Sequence, residues 1–465
     1  SYRIANDLIR KQVLGGMPQA ELVQLCKALA KVVEGTSAHA HARKFEYLRL
    51  ANLSEEPAEH IEPALRDARK HLAFGRASEL QRWRIEHTDP SSLTPAEWRA
   101  QRALLAEFEA STGRHEVAAK LLKEIAEELE AGLERTDALG DEAEAWFYAG
   151  NLPEAERALE EALRYFGERY SASHRSDVFT GVRERFERLR LGGVTPLGNL
   201  EDKVLTGEAG SKQRIYRLML RTKNLLNSTQ APRIQRRLED LGRKHGDRRT
   251  CADAYLHRAQ ILLSLDRPSA FRQAPALLDA AEQVYEALED QEHMTLVLVA
   301  RADLAAMQGD PKRATELYKE ADRRWRISSN HTRLARTSLD AHRGMLAIEL
   351  GRLDLANRWL EALFHEERHL EPARLAGHKL AAEVALLQGR PNAAQYHIEQ
   401  VQARLAKKTA STLELWTISA QTRHNLAVGR PEVAIGQLEV HFERLHEQGF
   451  LRFPTAEAVL LRSLG

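Results

Sequence analysis

The chain has 465 residues, with 68 Lys+Arg against 67 Asp+Glu and a formal net charge of +1, which excludes a polybasic protein that holds nucleic acid by bulk electrostatics. Its 26 Gly and 15 Pro make up under a tenth of the residues, too little punctuation for a many-stranded β protein. Hydrophobic residues reach 43% but aromatics only 6%, and the remainder is rich in Ala, Leu, Glu and Arg, so the composition reads as all-helical.

Two cysteines, Cys26 and Cys251, cannot build a disulfide framework or a Cys-rich metal site, which fits a reducing compartment. No run approaches the ~18 apolar residues of a membrane span, and no charged-then-apolar signal segment opens the chain. The expected location is cytoplasmic, with no membrane partner. The chain begins Ser1-Tyr2-Arg3 without an initiator Met, which reads as a piece excised from a longer protein.

In chain order, residues 1–35 come first. Tyr2-Arg-Ile4-Ala-Asn6-Asp7-Leu8-Ile-Arg10 is followed by a break at Gly15-Gly16-Met-Pro18 and a second helix ending Leu-Ala-Lys-Val-Val-Glu. This segment resembles the end of the winged-helix element that follows the nucleotide-binding module in bacterial STAND signal-transduction ATPases, where an aromatic-x-Phe/Ile-x-His/Asn-Asp-Leu-x-Arg motif precedes a helix. It departs from that pattern at Leu25-Cys26, where Leu-His is usual. The resemblance implies an ATPase upstream and a sensor arm downstream. No Gly-x-x-x-x-Gly-Lys-Ser/Thr loop occurs, and Gly207-Glu-Ala-Gly210-Ser-Lys212 has the wrong spacing and order to cradle phosphates. No cofactor is expected in this region.

Beyond residue 35 one pattern recurs: a Gly, then five residues on a small or apolar residue, as Gly75/Leu80, Gly113/Ala118, Gly150/Ala155, Gly309/Ala314, Gly351/Ala356, Gly389/Ala394 and Gly429/Ala434. Seven positions before each Gly stands a small residue: Ala68, Ala106, Ala143, Ala302, Gly344, Ala382 and Thr422. A Gly permits the left-handed helix cap, Pro153, Pro311, Pro391 and Pro431 suit the first turn of a following helix, and small residues let two helices approach closely. The unit is a helical hairpin. Gly150-Asn-Leu-Pro-Glu-Ala155 with Leu159 and Ala162, and Gly309-Asp-Pro-Lys-Arg-Ala314 with Tyr318 and Ala321, resemble tetratricopeptide (TPR) repeats.

The turn glycines lie 37 to 42 residues apart, which predicts further turns near 190, 229 and 269 within the long interval from Gly150 to Gly309. The expected fold is an all-α, right-handed α-solenoid of about ten TPR-like hairpins. Its organisation reads as an N-terminal arm over 36–191, an irregular loop or hinge over 192–210 with room for one short helix near 198–206, and a C-terminal arm over 211–465.

Charge is segregated along the chain. Residues 101–170 hold 8 Lys/Arg and 17 Asp/Glu, whereas 211–250 hold 12 Lys/Arg and 3 Asp/Glu. Arg214, Arg217 and Arg221 share one helical face, and Arg323, Arg324, Arg326, Arg333, Arg336 and Arg343 form a second cluster around Trp325. These read either as faces salt-bridged to neighbouring helices or as a surface for an anionic partner, nucleic acid included.

His365-Glu366-Glu367-Arg368-His369 matches the His-Glu-x-x-His zinc pattern, but both intervening residues are charged and no third ligand is evident, so it is rejected as a metal site. His39 and His41 lie two apart, on different helix faces. No catalytic constellation emerges, and the chain is not expected to be an enzyme.

If the TPR resemblance holds, the helix before each turn lines the ligand-facing surface, at positions 13, 10, 6 and 3 before the Gly. That resemblance implies Asp303, Ala306, Met345, Lys379, Glu383, Trp416 and Arg423 as binding residues. The expected function is ligand sensing that regulates the upstream STAND ATPase, with a free-standing protein-binding scaffold as the alternative. Expected partners are a protein or peptide, a small-molecule effector, and intramolecular contact with the ATPase module.

Overall fold

The structure, a computed structural model, describes residues 16–33, 38–50, 58–168, 194–225, 231–265, 267–327, 333–367, 371–403 and 412–447. The described residues form twenty α-helices and no strand; one isolated bridge joins Glu201 to Asp247. The chain is all-helical, built of TPR-like hairpins, and divides into two compact units, Ser1–Ile125 and Ala126–Gly465.

The first unit contains α1 (Gln19–Val32), α2 (Ala38–Leu50), α3 (Ala58–Lys70), α4 (Phe74–His87) and α5 (Pro95–Ser111), and the division falls within α6 (His115–Glu128). The second helix expected in the N-terminal segment is α1, whose Leu22 and Cys26 pack with Tyr47 and Leu50 of α2; Tyr2 to Arg10, which carry the STAND resemblance, lie outside the described residues. Phe45, Ile61, Leu65, Ala77, Leu80 and Phe108 form the core of this unit.

The second unit continues with α7 (Leu133–Ala149), α8 (Leu152–Tyr165), α9 (Gly207–Leu225), α10 (Ala231–His245), α11 (Arg248–Leu265), α12 (Arg267–Ala287), α13 (Gln291–Met307) and α14 (Pro311–Ile327). It ends with α15 (Arg333–Glu349), α16 (Leu353–Glu367), α17 (Glu371–Leu387), α18 (Pro391–Gln402), α19 (Thr412–Ala427) and α20 (Pro431–Glu447).

The repeat chemistry is borne out at the atoms. Gly113, Gly150, Gly309, Gly351, Gly389 and Gly429 all have φ between 65° and 83°. At Gly150 the amide donates to Phe147 O (3.1 Å) and the next amide, of Asn151, to Trp146 O (3.0 Å), the paired bonds of a Schellman cap. The small residue five after each of these glycines is essentially sealed from solvent, as are the small residues seven before. The close approach is literal at Gly344, where a Cβ would stand 2.5 Å from Leu380 Cδ2.

Gly75 is the exception. It lies in the first turn of α4, and the turn residue is Leu72, with φ 54° and the same pair of bonds, Leu72 N to Arg69 O and Ala73 N to Ala68 O. The register there is Leu72/Ala77, because a backbone held by a Schellman cap tolerates a non-glycine residue at a cost of about 1–2 kcal/mol. Glu289 (φ 53°) ends α12 in the same way.

Among the expected hidden turns, the one near 269 falls between α11 and α12, at residue 266; the one near 229 falls between α9 and α10, within 226–230, and the one near 190 lies outside the described residues. The short helix expected near 198–206 does not form. Residues 194–206 are instead strapped to the corner between α10 and α11: Glu201 N donates to Gly246 O (3.0 Å), Arg248 N to Glu201 O (3.0 Å), and Tyr255 Oη to Thr195 O (2.8 Å). Leu197 is buried in the core with Tyr255, Leu256 and Leu278. The backbone groups a helix would have satisfied internally are satisfied by that corner, and α9 packs directly on α7 and α8.

Candidate functional site: a ring of inner helices

In the second unit the first helix of each hairpin packs on the first helix of the next. α7 meets α9, α9 meets α11, α11 meets α13, α13 meets α15, and α15 meets α17. The succession then closes, because α17 also packs against α7. Six helices thus make a ring, with α8, α10, α12, α14, α16 and α18 packed outside it and α19 laid on α17. Tyr148 of α7 lies within electrostatic reach of Glu292 of α13 as well as of Arg221 of α9, so side chains of non-neighbouring inner helices confront one another across the interior.

Four of the residues expected at ligand-facing positions come together. Lys379 and Glu383 stand one turn apart on α17, and Trp416 and Arg423 reach them from α19. Arg423 donates twice to Glu383 (2.9 and 2.7 Å), and Trp416 Nε1 donates to Glu383 Oε1. Lys379 Nζ lies 5.8 Å from the Trp416 ring centroid, within the range of a cation–π contact. Burial pushes the Lys379 ammonium below its ordinary range, and the attraction of Glu383 restores only part of this.

Asp303 belongs to an adjoining group. Its Oδ1 accepts from Tyr318 Oη (2.6 Å) and His342 Nδ1 (2.8 Å). Burial alone would lower the His342 imidazole; the charge and hydrogen bond of Asp303 overrule it and raise the group. Met345 is half-buried one turn after His342 on α15, and Ala306 packs against the core of α13, α14 and α15. His342 was missed by the repeat positions, yet it stands three residues before Met345 on the same helix face.

The basic face of α9 has another destination. Arg214 pairs with Asp141 (2.5 Å) and Glu144 (3.0 Å) of α7, Lys223 with Glu156 (2.8 Å) of α8, and Lys212 with Glu168 (2.6 Å). Arg217 pairs with the buried Asp253 of α11, which Tyr285 Oη also meets at 2.7 Å. The acidic and basic stretches of the sequence neutralise each other across helix joints. Arg221 stands apart: among the described residues it makes no hydrogen bond or ion pair, and it faces Tyr148 and His257. The second basic cluster is likewise absorbed, with Arg326, Arg336 and Arg343 converging on Asp322 and the Arg336 guanidinium 5.1 Å from the Trp325 ring centroid.

His365 is exposed on the last turn of α16; the Glu366 side chain and His369 lie outside the described residues. Among the described residues no three His, Cys, Asp or Glu side chains gather as a metal-binding group, and no helix is long and apolar enough to cross a membrane.

No family model matches the chain, and no curated protein matches it. Among solved structures it is similar to a signal-transduction ATPase with numerous domains that carries a TPR sensor, from Pyrococcus horikoshii, at 16% identity and TM-score 0.37, over 86% of this chain and 54% of that one. It is similar to a Rap protein complexed with competence and sporulation factor, at 15% identity and TM-score 0.45, over 83% and 98%. It is also similar to the Cut9–Hcn1 hetero-tetramer of the APC/C, at 14% identity and TM-score 0.32, over 98% of both chains. The chain spans about half the length of the first of these.

Proposed function

We propose that this region is a ligand-sensing, protein- or peptide-binding TPR-like module that regulates an upstream STAND-type ATPase from within the cytoplasm. The observation that carries the binding half is the closed ring, in which α17 returns to α7 and the polar faces of six helices enclose one space. Concave sites with a few convergent polar groups are where ligands dock. The regulatory half rests on Tyr2 to Arg10 and their resemblance to the STAND winged helix. A ligand inside the ring shifts the balance between resting and active states by no more than its differential affinity for the two.

The test is nucleotide hydrolysis by the full-length gene product with and without residues 36–465. Regulation predicts that deletion changes the basal rate by an order of magnitude or more. A gene product with no nucleotide-binding module, or a rate indifferent to the deletion, sinks this reading in favour of a free-standing scaffold.

A further inference from the structure

Every acceptor near Lys379 is already committed. Its i+4 neighbour Glu383 is the usual partner for a helical lysine, but Oε1 of Glu383 takes Arg423 Nη2 and Trp416 Nε1, and Oε2 takes Arg423 Nη1. Asp303 is held by Tyr318 and His342 through a single oxygen. Among the described residues Lys379 makes no hydrogen bond and no ion pair, although it is half-buried against the Trp416 ring and its charge bears directly on His342 of the neighbouring helix. With His342 protonated by Asp303, the local sum over Asp303, His342, Lys379, Glu383 and Arg423 is one excess positive charge, carried by Lys379. A desolvated cation without a partner is costly. The fold keeps it on the inner face of a helix that closes the ring.

We propose that the face shared by α15, α17 and α19 binds a carboxylate of the ring's occupant, held by Lys379 and His342, with the Trp416 ring as a platform for the apolar body beside it. One negative charge matches the one excess positive charge. A phosphate dianion would overshoot and would face Asp303 and Glu383 at close range, so a peptide carboxylate is the class selected. This rests on the ring interior being the ligand site.

The test uses the full chain and two probes, N-acetyl-phenylalanine as its carboxylate and the matching N-acetyl-phenylalaninamide, with binding followed calorimetrically. The acid binds at least about tenfold tighter than the amide, the worth of one charge-assisted hydrogen bond, and K379M erases that preference. A purely structural lysine predicts that K379M lowers thermal stability; an unpaired ligand-binding one predicts that it is unchanged or raised. Equal binding of acid and amide, both weakened by W416F, overturns the carboxylate assignment and leaves the ring a ligand site. Acid binding that survives both K379M and W416F overturns the assignment and the ring site together. Failure of both probes to bind, or a preference for the acid that K379M leaves intact, also overturns the assignment.

Discussion

Arg423 grips Glu383 with both arms of its guanidinium, at 2.9 and 2.7 Å, from one helix to the next. Glu383 is buried while Arg423 is about one-third exposed, so the cost of breaking the pair is dominated by the carboxylate left behind. A spare cation, Lys379, stands one turn away. R423M should therefore cost about 1–2 kcal/mol in the native background, with Lys379 swinging in to replace the lost partner. In the K379M background the same change should cost about 3 kcal/mol or more. Urea denaturation of the four proteins of the cycle checks this, and additive costs would refute it.

The turns allow a purely conformational test. Gly309 has φ +82° and open space where a Cβ would go, so G309A should cost about 1 kcal/mol with no packing component. Leu72 and Glu289 hold the same conformation without being glycine, and Leu72 is largely exposed. L72G should therefore raise stability by roughly 0.5 kcal/mol, the strain relieved exceeding the added chain entropy. Opposite signs in thermal melts of the two variants are the expected result.

Those same positions show how far the sequence could be read. The hairpin period, six left-handed glycines and the buried small residues before and after them are legible because each demands a rare residue type at a fixed spacing. Leu72 was displaced by three residues onto Gly75, since a left-handed leucine leaves no signature. The short helix expected near 198–206 failed because the partners of Glu201, namely Gly246 and Arg248, are tertiary and distant in sequence. At the site, Lys379, Glu383, Trp416 and Arg423 were found from repeat register. Their mutual pairing was not legible, nor was the return of α17 to α7, because neither depends on local spacing.

Close packing between inner helices gives a steric prediction. Gly344 of α15 faces Leu380 of α17, with 2.5 Å from a hypothetical Cβ to Leu380 Cδ2. G344A should destabilise by about 1–3 kcal/mol through overpacking. L380A, which opens the space, should cost about 2–5 kcal/mol alone. The double variant should cost less than the sum, as measured by denaturant midpoints.

Acid should loosen the second unit in two stages. Burial drives the His257 imidazole down to about 4; the nearby Arg221 and His293 add to this, and Asp253 only partly opposes. Burial would raise Asp290, but its hydrogen bonds and charge contacts with His293, together with Arg249, hold it down to about 2. Both groups take up protons more readily unfolded, so each contributes stability at neutral pH that is lost as pH falls. The His257 share goes between about 6.5 and 4, and the Asp290 share between about 4 and 2. H257Q should flatten the first decline in thermal midpoint and leave the second, and D290N the reverse.

The seam between α17 and α7 turns a row of hairpins into a ring, and it differs from the other joints. Each of those is backed by an outer helix packed on both inner neighbours, as α8 is on α7 and α9, or α16 on α15 and α17. At the seam the outer partners α8 and α18 pack on α9 and α19 instead, so this joint has the least support and should open first in native-state fluctuations. Hydrogen exchange resolved by peptide should show the inner faces of α7 and α17 exchanging faster than α11 and α13, at a common rate set by a shared opening. An occupant that contacts Lys379 on α17 should slow both segments together, α7 included. Exchange in α7 that ignores the occupant while α17 is protected would mean that the ring does not close in solution.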